Sequence, residues 1–599
     1  MSLPADRLPA PVQDEIALAR TLHAALQTDA PHPLDWAAVG ARATPWIDAV
    51  RERPAPFWAM ESLLREYPIS SQEGLALMRL AEALLRVPDQ DTAIALTADQ
   101  LGRGHFNEHD GSALFGRLGA QLIELSRHLL PHDDGHAPTL LQRLGARTVV
   151  GAAVRAVQLL GQQFVHGEHI ETALHNADAE RRAQPTQALC WSYDMLGEGA
   201  RTAQDASHYL AAYQQALRAL AARGRLARPQ DGDGLSIKLS ALEPRYEATR
   251  HAQVLAALVP QVLTLVDAAA AANLNLTIDA EESERLELSL LVLEALMKHV
   301  AARWPDWAGL GLAVQAYQLR APATIEAVAA LAQRHGLRLM VRLVKGAYWD
   351  AEIKRAQELG LAGYPVWTRK EHTDLAYLAC AQALLRHQEH IYPQFATHNA
   401  ATIAAVLTLV EAETRRSGRR PDFELQRLHG MGQGIYRELM SSPEAPRLRI
   451  YAPVGRQRDL LAYLVRRLLE NGANSSFVHQ LADESVPAAA LLASPLQPAT
   501  SAGLELPPQL YGAGRRNAAG RDLLHQRERA PVEAAIAALR LQPEAPPAEA
   551  DPAQIDTVMR QLAAAQPGWN ATPLAERCAV LLRAAEMLEQ RLDEFCARL

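Results

Sequence analysis

The feature that most constrains the fold is an alternation of short apolar runs with longer helical stretches over residues 186–485. Eight runs recur. They are ALCWSYDM (188–195), LSIKLSAL (235–242), LNLTIDAE (274–281), GLAVQAYQ (311–318), LMVRLVKGAY (339–348), QFATHN (394–399), FELQRLHG (423–430) and LRIYAPVG (448–455). Between them lie segments such as HAQVLAALVPQVLTLVDAAAAA, with apolar residues at three- and four-residue spacing. Strands that alternate with helices form a parallel sheet, because each parallel connection must cross over. Eight such units predict an α/β chain whose core is a (βα)8 barrel of the TIM type, rather than an open sheet. Its closing helix is LLAYLVRRLLENG.

The flanks read differently. Residues 1–35 are Pro-punctuated and predict an N-terminal arm. Residues 36–185 predict an all-helical region, with Ser70 or Ser71 of SSQEGLALM as a helix N-cap. Residues 486–552 are rich in Pro, Ala and Gly and predict a linker with one helical stretch, VEAAIAALRL. Residues 553–599 resume a helical pattern.

Composition excludes some classes. A net charge of -8 gives no polybasic footprint. The four cysteines, Cys190, Cys380, Cys578 and Cys596, form no CxxC pair, so neither a metal cluster nor a disulfide framework is expected. The start MSLPADRLPAPVQ has no apolar signal core. No uncharged apolar run reaches the roughly 20 residues that span a bilayer. Of the 60 basic residues, five are lysine: Lys238, Lys298, Lys345, Lys354 and Lys370. Where arginine is the default, a lysine at a strand end marks a place for a compact ammonium.

In a barrel of this kind the active site forms at the C-terminal ends of the strands. The polar residues there are Glu198, Lys238, Asp279, Glu281, Glu282, Gln315, Arg342, Lys345, Trp349, His398, Asn399, Gln426, His429 and Tyr451. Charges in core strands are costly unless they meet partners or ligand. Lys238 opposite Asp279 on adjacent strands is equally readable as a buried ion pair that only tunes the barrel. The fifth run puts Arg342 and Lys345 beside Gly346, Tyr348 and Trp349, and WTRKEHTD adds Thr368, Arg369 and Lys370. Cations beside a close-approaching backbone suit phosphates and an electron-rich ring. Arg466 and Arg467 sit side by side on the closing helix. Such a pair is commonly a solvated face, but two guanidiniums at a barrel mouth also fit a small carboxylate.

SIKLSALEPRYE, LTIDAEESERLELSL, RLVKGAYWDAEIKRAQ, ATHNAATIAAV, LHGMGQGIY, RIYAPVG and LVRRLLENGANSSFV together resemble the proline dehydrogenase domain of the proline utilization A family, over roughly 140–485. The resemblance implies a distorted (βα)8 barrel that holds FAD, oxidises L-proline to 1-pyrroline-5-carboxylate by hydride transfer from proline C5 to flavin N5, and passes electrons to a membrane quinone. It implies a cytoplasmic protein associated peripherally with the inner membrane.

Carried over by motif, Arg466 and Arg467 would bind the proline carboxylate with Lys238. Tyr451 and Leu428 would shape the proline pocket. Asp279 would join the polar network, Glu198 would pair with the arginine helix, and Arg342 would lie near flavin N5. Gln315, Val344, Lys345, Gly346, Ala347, Tyr348, Trp349, Thr368, Lys370, Thr397, His398, Asn399, Gln426, Glu470 and Phe477 would line the FAD.

Some members of the family carry a ribbon-helix-helix DNA-binding domain at the N-terminus. The first 100 residues here hold no lysine, and MSLPADRLPAPVQ reads as an arm rather than a basic β-strand, so no nucleic-acid partner is expected. LYGAGRRNAAGRDL and the segment to Leu599 resemble the entry to the family's aldehyde dehydrogenase domain. Its NAD-binding core and catalytic cysteine would fall beyond residue 599, so this chain is not expected to make glutamate by itself. A homo-oligomer is compatible with the full-length protein, and the sequence does not set its order. Two alternatives stand beside this reading: a flavin barrel enzyme for another cyclic amino acid such as hydroxyproline, and a non-catalytic regulator.

Overall fold

A computed structural model describes residues 8–28, 30, 32–53, 164–185, 187–442, 445–455, 477–482, 485–541 and 551–599. The chain divides into two compact units, residues 1–353 with 365–504, and residues 354–364 with 505–599.

In the first unit, helices α1 (Glu15–Leu26), α2 (Trp36–Glu52) and α3 (Ile170–Ala183) precede strand β1 (Leu189–Met195). Then come α4 (Ala203–Ala221), β2 (Gly234–Ile237), α5 (His251–Ala271), β3 (Asn275–Ile278), α6 (Leu286–Arg303), β4 (Leu310–Gln315), α7 (Ala321–His335) and β5 (Leu339–Val344). Two helices follow β5: α8 (Trp349–Glu358), whose residues from Lys354 on belong to the second unit, and α9 (Lys370–Arg386). The series closes with β6 (Ile391–Ala396), α10 (Ala400–Ser417), β7 (Glu424–Leu428), α11 (Gln433–Met440) and β8 (Arg447–Val454). All eight strands pair in parallel with their neighbours in chain order, and β8 pairs with β1 to close the barrel. Each expected run holds one strand, with ends displaced by up to five residues. LSIKLSAL, for instance, leaves the strand at Ile237 and turns through a short 3-10 segment, Leu239–Ala241.

Local chemistry fixes the helix ends. Thr202 and Asp205 form a reciprocal capping box on α4. The Asn399 side chain accepts from the Thr402 N–H to start α10, and Gly418 in the left-handed region ends it. Helix α5 is long and apolar enough to cross a membrane by composition alone. Here its Val254, Leu258, Val262, Leu265, Val266 and Ala269 are buried in the unit's core. A barrel's outer helix passes the same test because one face must cover the sheet.

The barrel interior is filled by side chains. At its N-terminal end Arg449 and Glu424 form an ion pair with no solvent exposure. Glu424 also accepts from Gln394 and Gln426, and Arg449 donates to the Gly232 and Gln230 carbonyls. That network satisfies both buried charges, which is the condition for tolerating them.

The segment expected as an arm contains α1. Asp14 caps it, and Leu22 and Leu26 bury its apolar face. A stripe at helical spacing outweighs the flanking prolines. The segment expected as a linker contains helix α13 (Ala488–Leu491), after α12 (Phe477–Ala482). The second unit holds α14 (Gln526–Leu541), α15 (Pro552–Ala571), α16 (Leu574–Gln590) and α17 (Leu592–Arg598). The Ser N-cap at 70–71 and the closing helix LLAYLVRRLLENG lie outside the described residues.

Candidate active site

Strand register brings the site together. Asp194 lies level with Ser236 across β1 and β2, Ser192 level with Tyr451 across β1 and β8, and Leu428 level with Tyr451 across β7 and β8. Lys238 follows the last residue of β2, and Asp279 follows the last residue of β3. Their side chains converge at the C-terminal mouth.

Lys238 Nζ donates to both oxygens of Asp194 at 3.0 Å and to Asp279 Oδ2 at 3.2 Å. It also donates to Tyr451 Oη at 3.4 Å. Tyr451 Oη donates to Asp279 Oδ2 at 2.7 Å. Arg342 crosses the barrel. Its Nη1 donates to Asp279 Oδ1 at 2.7 Å, its Nε to Gln426 Oε1 at 2.7 Å, and its Nη2 to Ser192 and Ser236 at 3.0 Å. Its guanidinium also lies 5.1 Å from the centroid of the Tyr451 ring.

Electrostatics follow from this packing. Burial pushes Asp279 up, but Lys238 and Arg342 outweigh it and hold the carboxyl below its ordinary value. Burial pushes Asp194 up and the neighbouring Asp279 adds to it, so Lys238 offsets the shift only in part. Burial disfavours the Lys238 ammonium, but Asp194, Tyr451 and Asp279 hold its pKa well above the usual lysine range. Burial and the two aspartates raise the Tyr451 phenol well above 10, so it stays a neutral donor. Two carboxylates and two cations make a balanced quartet.

A second cluster lies after β5. Gly346 has φ +143°, and a Cβ there would stand 2.2 Å from the Tyr317 ring. Only glycine fits that turn. The Ala347 N–H donates to Gln315 Oε1 at 3.4 Å, and Gln315 Nε2 donates to the Glu281 carbonyl at 2.7 Å. Lys345 and Lys370 share the carboxylate of Asp374. Burial raises Asp374, but the two ammoniums more than offset it and lower its pKa. Trp349 donates to the Trp367 carbonyl at 2.8 Å and still leaves 36% of its surface exposed. Thr368 follows Trp367 directly. Val344 and Tyr348 are half-buried beside this turn.

Across the mouth, His398 Nε2 accepts from the Leu428 N–H at 3.0 Å, and the Thr397 N–H donates to the Gln426 carbonyl at 3.2 Å. Asn399 caps α10, and Phe477 is buried at the start of α12. Glu198 is half-buried after β1. Arg466, Arg467 and Glu470 lie outside the described residues, as does the helix Glu198 was expected to meet.

A flavin dinucleotide needs cations and backbone N–H groups for its diphosphate and flat aromatic surface for its rings. Lys345, Lys370, the Gly346–Ala347 turn and exposed Trp349 supply that donor set at one edge of the mouth.

Sequence reasoning missed Asp194, Ser192, Ser236 and Asp374. Asp194 was visible as a carboxylate inside the first run, but only the β1–β2 register, which sets it level with Ser236, brings it to Lys238. His166, Glu180 and His429 were also not expected to meet. Their ligand atoms lie within 4.8 Å of one another. Arg427 acts electrostatically on each of the three, and a dication would have to face that charge.

The model of the proline dehydrogenase family matches residues 176–480, about half the chain and all eight strands. The chain belongs to the proline dehydrogenase family. A model described as the DNA-binding domain of proline dehydrogenase matches residues 59–164, and an aldehyde dehydrogenase family model matches 540–599. The first of these two runs against the expectation of no nucleic-acid partner, which rested on missing lysines and on an arm-like first 13 residues. Arginine carries the positive charge in this chain, so lysine scarcity was a poor guide.

Among curated relatives, the bifunctional protein PutA of Escherichia coli K12 is 41% identical over 586 residues, covering 89% of this chain and 44% of its own length. PutA of Rhizobium meliloti is 41% identical over 516 residues, covering 83% of this chain and 41% of its own. The crystal structure of a Bradyrhizobium japonicum proline utilization A variant superposes with TM-score 0.75 at 42% identity, covering 98% of this chain and 58% of that one. The chain thus spans less than half the length of these two curated relatives.

Proposed function

We propose that the barrel oxidises L-proline to 1-pyrroline-5-carboxylate, the first step of proline catabolism, with FAD as acceptor and a membrane quinone receiving the electrons. The reading includes a cytoplasmic protein that touches the inner membrane peripherally. The observation that carries it is the network of buried Lys238, Asp194 and Arg342 with half-buried Asp279 and Tyr451 at the mouth of a proline dehydrogenase barrel.

When bound, FAD would accept the hydride lost from proline C5. Lys345, Lys370, Thr368 and the Gly346–Ala347 turn would hold it, with Gln315, Val344, Tyr348, Trp349, Thr397, His398, Asn399, Gln426, Glu470 and Phe477 around it. The chain's own groups do the positioning. The phenol of Tyr451 is fixed by Asp279 and Lys238, which sets the face its ring offers to substrate. Arg342 is fixed at four acceptors, so its charge is already oriented before substrate arrives. The Lys238–Arg342–Asp194–Asp279 quartet is balanced. An entering carboxylate therefore needs further cations, and Arg466 and Arg467 would supply them.

Turnover of L-proline against trans-4-hydroxy-L-proline tests the substrate. A Tyr451 hydroxyl already bonded to Asp279 and Lys238 leaves little for a second hydroxyl to pair with. The expected kcat/KM ratio is at least about tenfold in favour of proline. Equal ratios would move the reading to the hydroxylated substrate, and no turnover of either would favour the regulator.

A further inference from the structure

The turn Thr368–Lys370, on which the FAD reading depends, is anchored from far away in the sequence. Glu15, the first residue of α1, puts one carboxylate against it. Thr368 donates to Glu15 Oε2 twice, from its backbone N–H at 3.1 Å and from its hydroxyl at 2.7 Å. The ring of His372 meets Glu15 Oε1 through Nδ1 at 2.6 Å. Arg369 Nη1 stands 3.9 Å from the same oxygen. The Glu15 side chain is 15% exposed. Burial pushes its pKa up, but the bonds from His372 and Thr368 more than offset this and lower it.

The rest of the turn is braced separately. Trp367 donates to the Ala316 carbonyl at 3.1 Å, and His372 packs edge-on against Trp367 with ring centroids 5.6 Å apart. Trp349 donates to the Trp367 carbonyl. These contacts fix Trp367, and Arg369 and Lys370 are held by the Ser501 carbonyl and by Asp374, but the Thr368 N–H and hydroxyl are bonded to Glu15. The α1 end of the contact is itself rigid. Asp14 accepts from the Ile16 and Ala17 N–H groups, and Leu22 and Leu26 are buried. The carboxylate is therefore presented by a docked helix rather than by a loose side chain.

We propose that Glu15 is a positioning residue for the cofactor: from the N-terminal helix it fixes the Thr368–Lys370 turn in its FAD-binding conformation. The proposal rests on the FAD reading given above. The partners of Glu15 are Thr368, His372 and Arg369, so its role is to position the turn. It acts by holding Thr368 with two bonds, so that the ordering cost of the turn is met before FAD arrives.

FAD titration of the apoprotein, followed by quenching of flavin fluorescence, tests this. Glu15→Ala is expected to raise the Kd for FAD by about tenfold. Glu15→Gln keeps an acceptor oxygen for Thr368 but loses the charge, and is expected to raise the Kd by about threefold. At saturating FAD the KM for L-proline should match that of the unaltered protein in both. A Kd unchanged in both variants overturns the proposal, even if melting temperature falls, because that pattern is a structural role alone. If Glu15→Ala fails to fold, the Glu15→Gln Kd decides. An unaltered protein that takes up no FAD overturns the cofactor reading instead, so the two failures are distinct.

Discussion

Lys238→Met removes the ammonium and keeps most of the side chain's length and bulk. It leaves Asp194 and Asp279 buried with Arg342, which bonds Asp279. Breaking a buried ion pair from one side costs about 3–5 kcal/mol, because the remaining charge is uncompensated. Asp194 would bear it, since its two bonds from Lys238 disappear. Protonation caps the cost, and burial already pushes that carboxyl up. A carboxyl whose folded pKa lies above its unfolded value binds its proton more tightly when folded. Its penalty is absent at low pH and grows as pH rises toward the folded value. The loss of stability should therefore be smaller at about pH 5 than at about pH 8.

Adding Asp194→Asn to Lys238→Met removes the orphaned charge while leaving the Asp279–Arg342–Tyr451 group intact. The double variant should recover more than half of the lost urea midpoint at the higher pH, yet stay deficient in proline turnover. A double variant no more stable than Lys238→Met would refute the reasoning, because Asp194 would then not be the group that Lys238 neutralises.

Arg467→Met should remove a charge-assisted contact of roughly 1.5–3 kcal/mol and raise the proline KM at least about tenfold while FAD stays bound; steady-state kinetics at saturating FAD checks this, and an unchanged KM would end the carboxylate assignment. Asp374→Asn should flatten the acid side of the stability profile. The Asp374 pKa is depressed by Lys345 and Lys370, so its contribution is present above the unfolded carboxyl value and lost as pH falls through the lower folded one. Melting temperatures taken from neutral pH downward should converge between variant and parent in acid.

The barrel was legible because its signal is repetitive: eight runs of similar length, each followed by a helical stripe. The site was legible where a charge interrupts a run, as at Lys238, Asp279 and Arg342. It was not legible at Ser192 and Ser236, small polar residues that gain meaning only when parallel register sets both under the Arg342 guanidinium. Arg449 and Glu424 were passed over for a related reason. They lie at the opposite end of the interior, where the buried pair bonds the ends of strands β7 and β8 together. Helix α1 was hidden by prolines on either side of a sound apolar stripe. Glu15 could not have been tied to Thr368 from sequence, since 353 positions separate them.

The most direct test of the central claim is an absorbance spectrum of the FAD-treated protein under anaerobic conditions, before and after L-proline. The account predicts that flavin bands appear with the protein and bleach when L-proline is added. A protein that binds no flavin, or one whose flavin bands persist in excess L-proline, would contradict it.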